Sequence, residues 1–235
     1  MVETDSTFGE SVQIGRVRLS AMDEISGIAA SRQNANLLWA HNDSGDKPRI
    51  FLIRQTGELV AIFELPGIKH IDWEDMAIGP GPDSTQSYLY IADIGNNRRN
   101  RHVLSIYRIP EPHVVANDKP INSTLKDAET IEFRYPEGTH NAETLFMDSS
   151  TRDLYIVTKN EEPEQLYRLP YPQSTERVNR AVPAGSLPIS GALGGELSAD
   201  GRLLLIKTQQ QVLIWHLENS ELPEAITQKR PRQPP

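Results

Sequence analysis

Glu74-Asp-Met-Ala-Ile78 sets an acidic residue just ahead of a short apolar strand, and the same arrangement recurs along the chain. It appears as Glu24-Ile-Ser-Gly-Ile-Ala29 and Glu143-Thr-Leu-Phe-Met147, and more loosely as Glu196-Leu-Ser-Ala-Asp-Gly201. After each copy comes a turn-rich stretch and a second β-rich run: Leu37–Ala40, Tyr88–Ala92, Leu154–Thr158 and Leu203–Lys207. A third run follows at Ile50–Ile53, Leu104–Ile109, Leu166–Leu169 and Val212–Leu217. Units of about 40 to 50 residues built from short strands are the pattern of β-propeller blades. Alternation dominates over helical spacing, as in Leu166-Tyr-Arg-Leu169, so the expected fold is an all-β propeller with four recognisable blades. The innermost strand of a blade lines the central channel, which predicts that the acids gather at one mouth.

Working outward, residues 1–10 read as a leader, 11–217 as the propeller, and 218–235 as a polar, proline-rich tail without core residues. Blade one is expected over Val12–Leu65, blade two over Asp72–Pro112, blade three over Asn141–Pro172 and blade four over Gly191–Leu217. The acids are unevenly spaced. The long interval from Glu74 to Glu143 contains Asp127–Tyr135, which reads as an extra outer strand. Leu222–Thr227 is the one stretch expected to make a turn of helix. The three tryptophans, Trp39, Trp73 and Trp215, lie on or beside strands and are expected to pack between blades, with Trp73 nearest the mouth.

Composition narrows the chemistry. The 235-residue chain has no cysteine, which excludes disulfides, zinc–thiolate centres and thiol nucleophiles. A net charge of −8 argues against a general nucleic-acid backbone binder and suits attraction of cations. No apolar run approaches the roughly 18 residues that a spanning helix needs. The first residues lack the basic and apolar regions of a signal peptide, so the sequence leaves the compartment open. Asn42-Asp-Ser-Gly-Asp46 lacks the ligand spacing of an EF-hand, no Gly-x-Ser-x-Gly elbow occurs, and the prolines of Gly79-Pro-Gly-Pro82 remove the donors a phosphate loop needs.

The strings His41-Asn-Asp-Ser-Gly45, Asp72-Trp-Glu-Asp-Met-Ala77, Tyr90-Ile-Ala-Asp-Ile-Gly-Asn-Asn97 and Asn141-Ala-Glu-Thr-Leu145 occur in this order. With Ile106-Tyr-Arg-Ile-Pro-Glu-Pro112 and Leu154-Tyr-Ile-Val-Thr-Lys159, they resemble a family of bacterial β-propeller proteins from about Glu24 to Trp215. More remotely, the chain is similar to SdiA-regulated, phytase-like esterase and calcium-dependent lactonase propellers. The resemblance implies five or six blades in an intact ring, and frequent export. The chain departs from the family in having Asn96-Asn97 where Asp-Asn is usual. It also stops near Pro231, where the family continues into another Glu-containing blade, so a missing last blade is expected.

Two carboxylates ~4 Å apart repel by about 4 kcal/mol at an effective dielectric near 20, so acids meeting at a mouth must protonate or hold a cation. Hard oxygen donors without thiolates favour Ca²⁺ or Mg²⁺, and Ca²⁺ accepts irregular shells of about 6 to 8 oxygens. The expected ligands are Glu24, Asp72, Glu74 and Glu143, with Asn42 and Asn141 adding neutral oxygens. The lactonase propellers use the same mixture of Glu, Asp and Asn. His70 and His140 each precede a mouth string by two residues or fewer and are the candidate general bases beside a metal-bound water. A Ca²⁺-type site holding a small anionic or ester ligand follows, with metal-assisted hydrolysis of a lactone or phosphoester as its possible activity. The competing reading is a non-catalytic propeller that binds a protein or glycan through rim loops, its acids pairing locally with Arg or Lys.

Overall fold

The structure, a computed structural model, describes residues 3–115, 119–217 and 222–235. The chain forms β1 (Glu3–Thr4), β2 (Ile25–Ala30), β3 (Leu37–Asn42), β4 (Arg49–Arg54), β5 (Leu59–Glu64), β6 (Trp73–Pro80) and β7 (Ser87–Asp93). It continues through β8 (Leu104–Pro110), β9 (Ile121–Thr124), β10 (Glu129–Arg134), β11 (Ala142–Met147), β12 (Leu154–Thr158) and β13 (Glu164–Leu169). The last elements are β14 (Asn179–Arg180), β15 (Val182–Leu187), β16 (Ala192–Leu197), β17 (Leu203–Thr208), β18 (Val212–His216), α1 (Glu224–Gln228) and β19 (Arg232–Gln233).

These strands make four sheets arranged as the blades of a β-propeller. From the channel outward, blade one is β2-β3-β4-β5-β9 and blade two is β6-β7-β8-β10-β14. Blade three is β11-β12-β13-β15, and blade four is β16-β17-β18-β19-β1. The first three strands of every blade pair antiparallel and are the runs that the sequence repeats mark. The long interval between Glu74 and Glu143 is filled by two outer strands. β10 pairs with β8 of blade two, while β9 returns to lie parallel with β5 of blade one.

Side chains on facing sheets form the core. Trp39, Leu52, Trp73, Met76 and Ile91 fill the space between blades one and two. Tyr90, Phe133, Leu145 and Tyr167 do so between blades two and three, and Phe146, Tyr155, Leu204 and Trp215 between blades three and four. All three tryptophans are fully buried between blades. Blade one's other face packs Ala40, Phe51 and Ile53 against Met22, Val17 and Leu19 of the preceding segment. Its inner strand leaves Ile28 50% exposed.

The ends of the chain join blade four, which the sequence reading did not place there. β1 pairs parallel with β19, β19 pairs with β18, and Ile226 of α1 is fully buried against the blade-four core. Asp5 hydrogen-bonds His216, and Trp215 Nε1 donates to the Lys229 carbonyl at 3.1 Å. Residues 1–2 of the expected leader and 218–221 of the expected tail lie outside the described residues.

Candidate metal centre

Each inner strand has an irregularity at the same place. Pairing slips between Trp73 and Asp75 in β6, between Ala142 and Thr144 in β11, between Ala192 and Gly194 in β16, and between Ile25 and Ile28 in β2. A bulge of this kind inserts an unpaired residue and re-aims its side chain. Glu74 and Glu143 are the inserted residues of blades two and three. Leu193 and the Ser26-Gly27 pair hold the matching positions in blades four and one.

Three carboxylates converge at this end of the channel. Asp43, Asp72 and Glu74 each place one oxygen so that all lie within 4.8 Å of one another. Asp43 comes from the turn after β3, fixed by its N–H donating to the Glu24 carbonyl at 2.8 Å. The backbone before β6 is held by Asp93, whose carboxylate accepts the N–H groups of Ile71 at 3.2 Å and Asp72 at 3.1 Å. Arg101 pairs with Asp93 at 2.7 Å and also donates to the Gly95 carbonyl at 2.7 Å, which draws the 94–101 loop over the acids. Gly95 is required there. A Cβ on it would lie 2.3 Å from both Asp72 Oδ2 and Glu74 Oε1.

Burial pushes the Glu74 carboxyl up to about 9, reinforced by Glu143, Asp43 and Asp72 and opposed by Lys159. Asp72 is raised by burial and by the neighbouring charge of Asp43. Glu143 is raised by burial against the pull of Lys159, whose ammonium pairs with Glu143 Oε1. The mouth therefore gathers acids where water does not fully screen them, so that burial and mutual repulsion favour their protonated forms and a cation would favour their ionised ones.

The other expected residues are placed as follows. Glu24 is exposed, ahead of β2, and outside the group of three. Asn141 is committed to the mouth loop, accepting from the Asn96 N–H at 2.6 Å and donating to Asn97 Oδ1 at 3.2 Å. Asn42 donates to the Ala21 carbonyl at 2.8 Å and to Asp46 at 2.9 Å, while its Oδ1 is buried without a partner. Glu196 lies three residues past the blade-four irregularity, deeper in the channel. Burial and the nearby Asp75 push its carboxyl up to about 8.

The two histidines part company. His70 stacks on Trp73 with centroids 4.2 Å apart, places Nδ1 3.1 Å from the Lys47 carbonyl, and leaves Nε2 buried and unpartnered. It lies within electrostatic reach of Asp72. His140 is bound up elsewhere, with Nδ1 2.7 Å from Glu161 Oε1 and Nε2 2.9 Å from the Tyr167 hydroxyl. A separate groove of about 1300 Å³, bounded by residues 188–191, 208–211 and 229–232, contains none of the mouth carboxylates.

No family model matches the chain, and no curated protein matches it in sequence. Among solved structures it is similar to an auxiliary nutrient binding protein from Bacteroides thetaiotaomicron. That match has 12% identity and a TM-score of 0.50, over 94% of this chain and 47% of the other. It is also similar to a luciferin-regenerating enzyme (9% identity, TM-score 0.48, 94% and 62% covered). A third likeness is to the β-propeller domain of Cps50 (Swd1) from Myceliophteria thermophila (11% identity, TM-score 0.42, 90% and 71% covered). The chain spans 47% and 62% of the length of the first two. At 12% identity, the likeness to the nutrient-binding protein concerns fold.

Proposed function

We propose that the channel mouth is a divalent-cation site of Ca²⁺ type. Asp43, Asp72 and Glu74 hold the ion, Glu143 stands beside it, and a small oxygen-bearing ligand completes its shell. The observation that carries this reading is the convergence of three carboxylates within 4.8 Å, on a loop whose glycine leaves room for two of them. The donor set is all oxygen, and three carboxylates fall short of the ~6 to 8 oxygens Ca²⁺ takes, which leaves positions for water and ligand. The more remote resemblance to calcium-dependent lactonase propellers, which use Glu, Asp and Asn at the channel mouth, points the same way. No helix among the described residues is long and apolar enough to cross a membrane.

Hydrolysis is the second reading, and His70 favours it. The residue lies within electrostatic reach of Asp72, and its Nε2 has no protein partner, as a general base needs. When bound, the cation would polarise a carbonyl or phosphoryl oxygen. Rim-loop binding of a protein or glycan is the alternative if the mouth takes up no ion.

The test is a thermal melt with and without millimolar Ca²⁺. An ion bound only to the folded state at 100 times its Kd adds about 2.7 kcal/mol of stability. The wild-type melt should rise, and Gly95→Ala, whose Cβ occupies the carboxylates' space, should melt cooperatively without responding. A wild-type melt indifferent to Ca²⁺ and Mg²⁺ would sink the reading.

A further inference from the structure

Resting on the cation reading of the mouth, we infer that its ligand is a neutral polyol, bound through a vicinal pair of hydroxyl groups. Charge is the first argument. At the mouth Asp43, Asp72, Glu74 and Glu143 stand against one ammonium, that of Lys159, so acidic side chains outnumber basic ones around the ion. Arg101 reaches Asp72 with its charge, but the Asp93 carboxylate that it pairs with at 2.7 Å acts on Asp72 in the opposite sense. A phosphate or carboxylate would enter against the acids; a neutral molecule would not.

Hydrogen bonding is the second, independent argument. Glu74 is only 4% exposed, yet its carboxyl receives no hydrogen bond from any described residue, and neither does that of Asp72. Both point at the space under Gly95. Asp72 is half-buried, and the oxygens of both carboxyls stay open to the mouth, so they are free to accept from whatever fills it. A hydroxyl group can give its oxygen to the cation and its proton to a carboxylate, whereas an ester has no proton to give and a phosphate brings its own negative charge to the acids. Two adjacent hydroxyls fit two adjacent open positions in the cation's shell. Lys159 has three N–H donors and spends one on Glu143, so it can also donate to a ligand oxygen.

The experiment is titration calorimetry of the full chain with methyl α-D-mannopyranoside, its 3-deoxy analogue (in which no two hydroxyls are adjacent) and inorganic phosphate, each in millimolar Ca²⁺ and in chelator. The glycoside should bind in Ca²⁺ and lose its binding in chelator. The deoxy analogue, lacking one hydroxyl of the pair, should bind about tenfold more weakly or worse, the effect of losing one hydrogen bond to a charged group. Phosphate should give no heat. Lys159→Met should bind Ca²⁺ more tightly and the glycoside more weakly, a split that loss of folding cannot produce. Phosphate binding in place of the glycoside, glycoside binding indifferent to chelator, or a Ca²⁺-loaded protein that takes neither would each overturn the inference. Failure of the cation reading shows separately, as a protein that gives no heat with Ca²⁺ alone.

Discussion

Glu74 has an ordinary carboxyl value of 4.5 that burial and three neighbouring acids push up to about 9 in the folded protein. Below pH 4.5 both folded and unfolded chains hold this proton, and the stability it contributes is fully present. As pH rises through that range the unfolded chain releases the proton first, so the cation-free fold loses up to about 1.4 kcal/mol per pH unit until pH 9. Glu74→Gln removes the charge while keeping the shape. Without metal, this variant should melt above wild type at pH 8 and level with it near pH 4.5; with Ca²⁺ at pH 8 the order should reverse. Parallel melting-temperature profiles over pH 4.5–9 would show that Glu74 does not titrate as described. Glu74 and Asp72 were legible in the sequence as acids ahead of a strand. Asp43 was not, because in His41-Asn-Asp-Ser-Gly45 it reads as one more turn former. The sequence points to Asn42 of this turn as the mouth ligand, and nothing local says that its neighbour is the side chain that meets Asp72 and Glu74.

At the scale of the element, what escaped the sequence was register. The repeat aligned Glu24 and Glu196 with Glu74 and Glu143, but the irregular pairing sits at Ser26-Gly27 in blade one and at Leu193 in blade four. A one-residue slip along a strand carries a side chain to the other face, and apolar alternation does not reveal the slip. The inner strands were legible as apolar runs except in blade four, where Gly194-Gly195 interrupt β16 and Glu196 stands near its end instead of ahead of it. Of the outer strands only β10 was: β1, β14 and β19 are two residues long, β9 and β15 are largely exposed, and β5, although a buried apolar run, has no counterpart in the three-strand repeat. The chain's last residues illustrate the consequence: a composition that reads as a loose tail carries Ile226 into the core between blades three and four. Ile226→Ala should cost about 2–4 kcal/mol, the usual range for truncating a buried isoleucine. Denaturant unfolding measures it as a lower midpoint at unchanged slope. A silent substitution would mean that α1 is an appendage.

For the whole molecule, residues 74 and 75 tie the four blades together at the axis. Ser26 of blade one donates to the Glu74 carbonyl at 2.6 Å. Asp75 Oδ2 accepts the N–H of Leu145 in blade three at 2.9 Å and of Gly195 in blade four at 3.0 Å, while Oδ1 takes the Met76 N–H at 2.8 Å. The sequence showed Asp75 only as the companion of Glu74; its role depends on three strands whose closeness exists only in the folded ring. Burial pushes its carboxyl up to about 8 against those three N–H groups, so the site stays costly to desolvate even when fully bonded. Asp75→Ala strands donors that cost about 1–3 kcal/mol each when left buried and unpaired, which puts the loss at about 3 kcal/mol or more. Asp75→Asn keeps one carbonyl oxygen for the Leu145 and Gly195 pair and should fall between alanine and wild type. The decisive readout is hydrogen exchange at those two amides. If Asp75 fastens the blades, both should lose protection in Asp75→Ala and regain part of it in Asp75→Asn. If each blade holds by its own apolar seam, protection at Leu145 and Gly195 will not depend on residue 75.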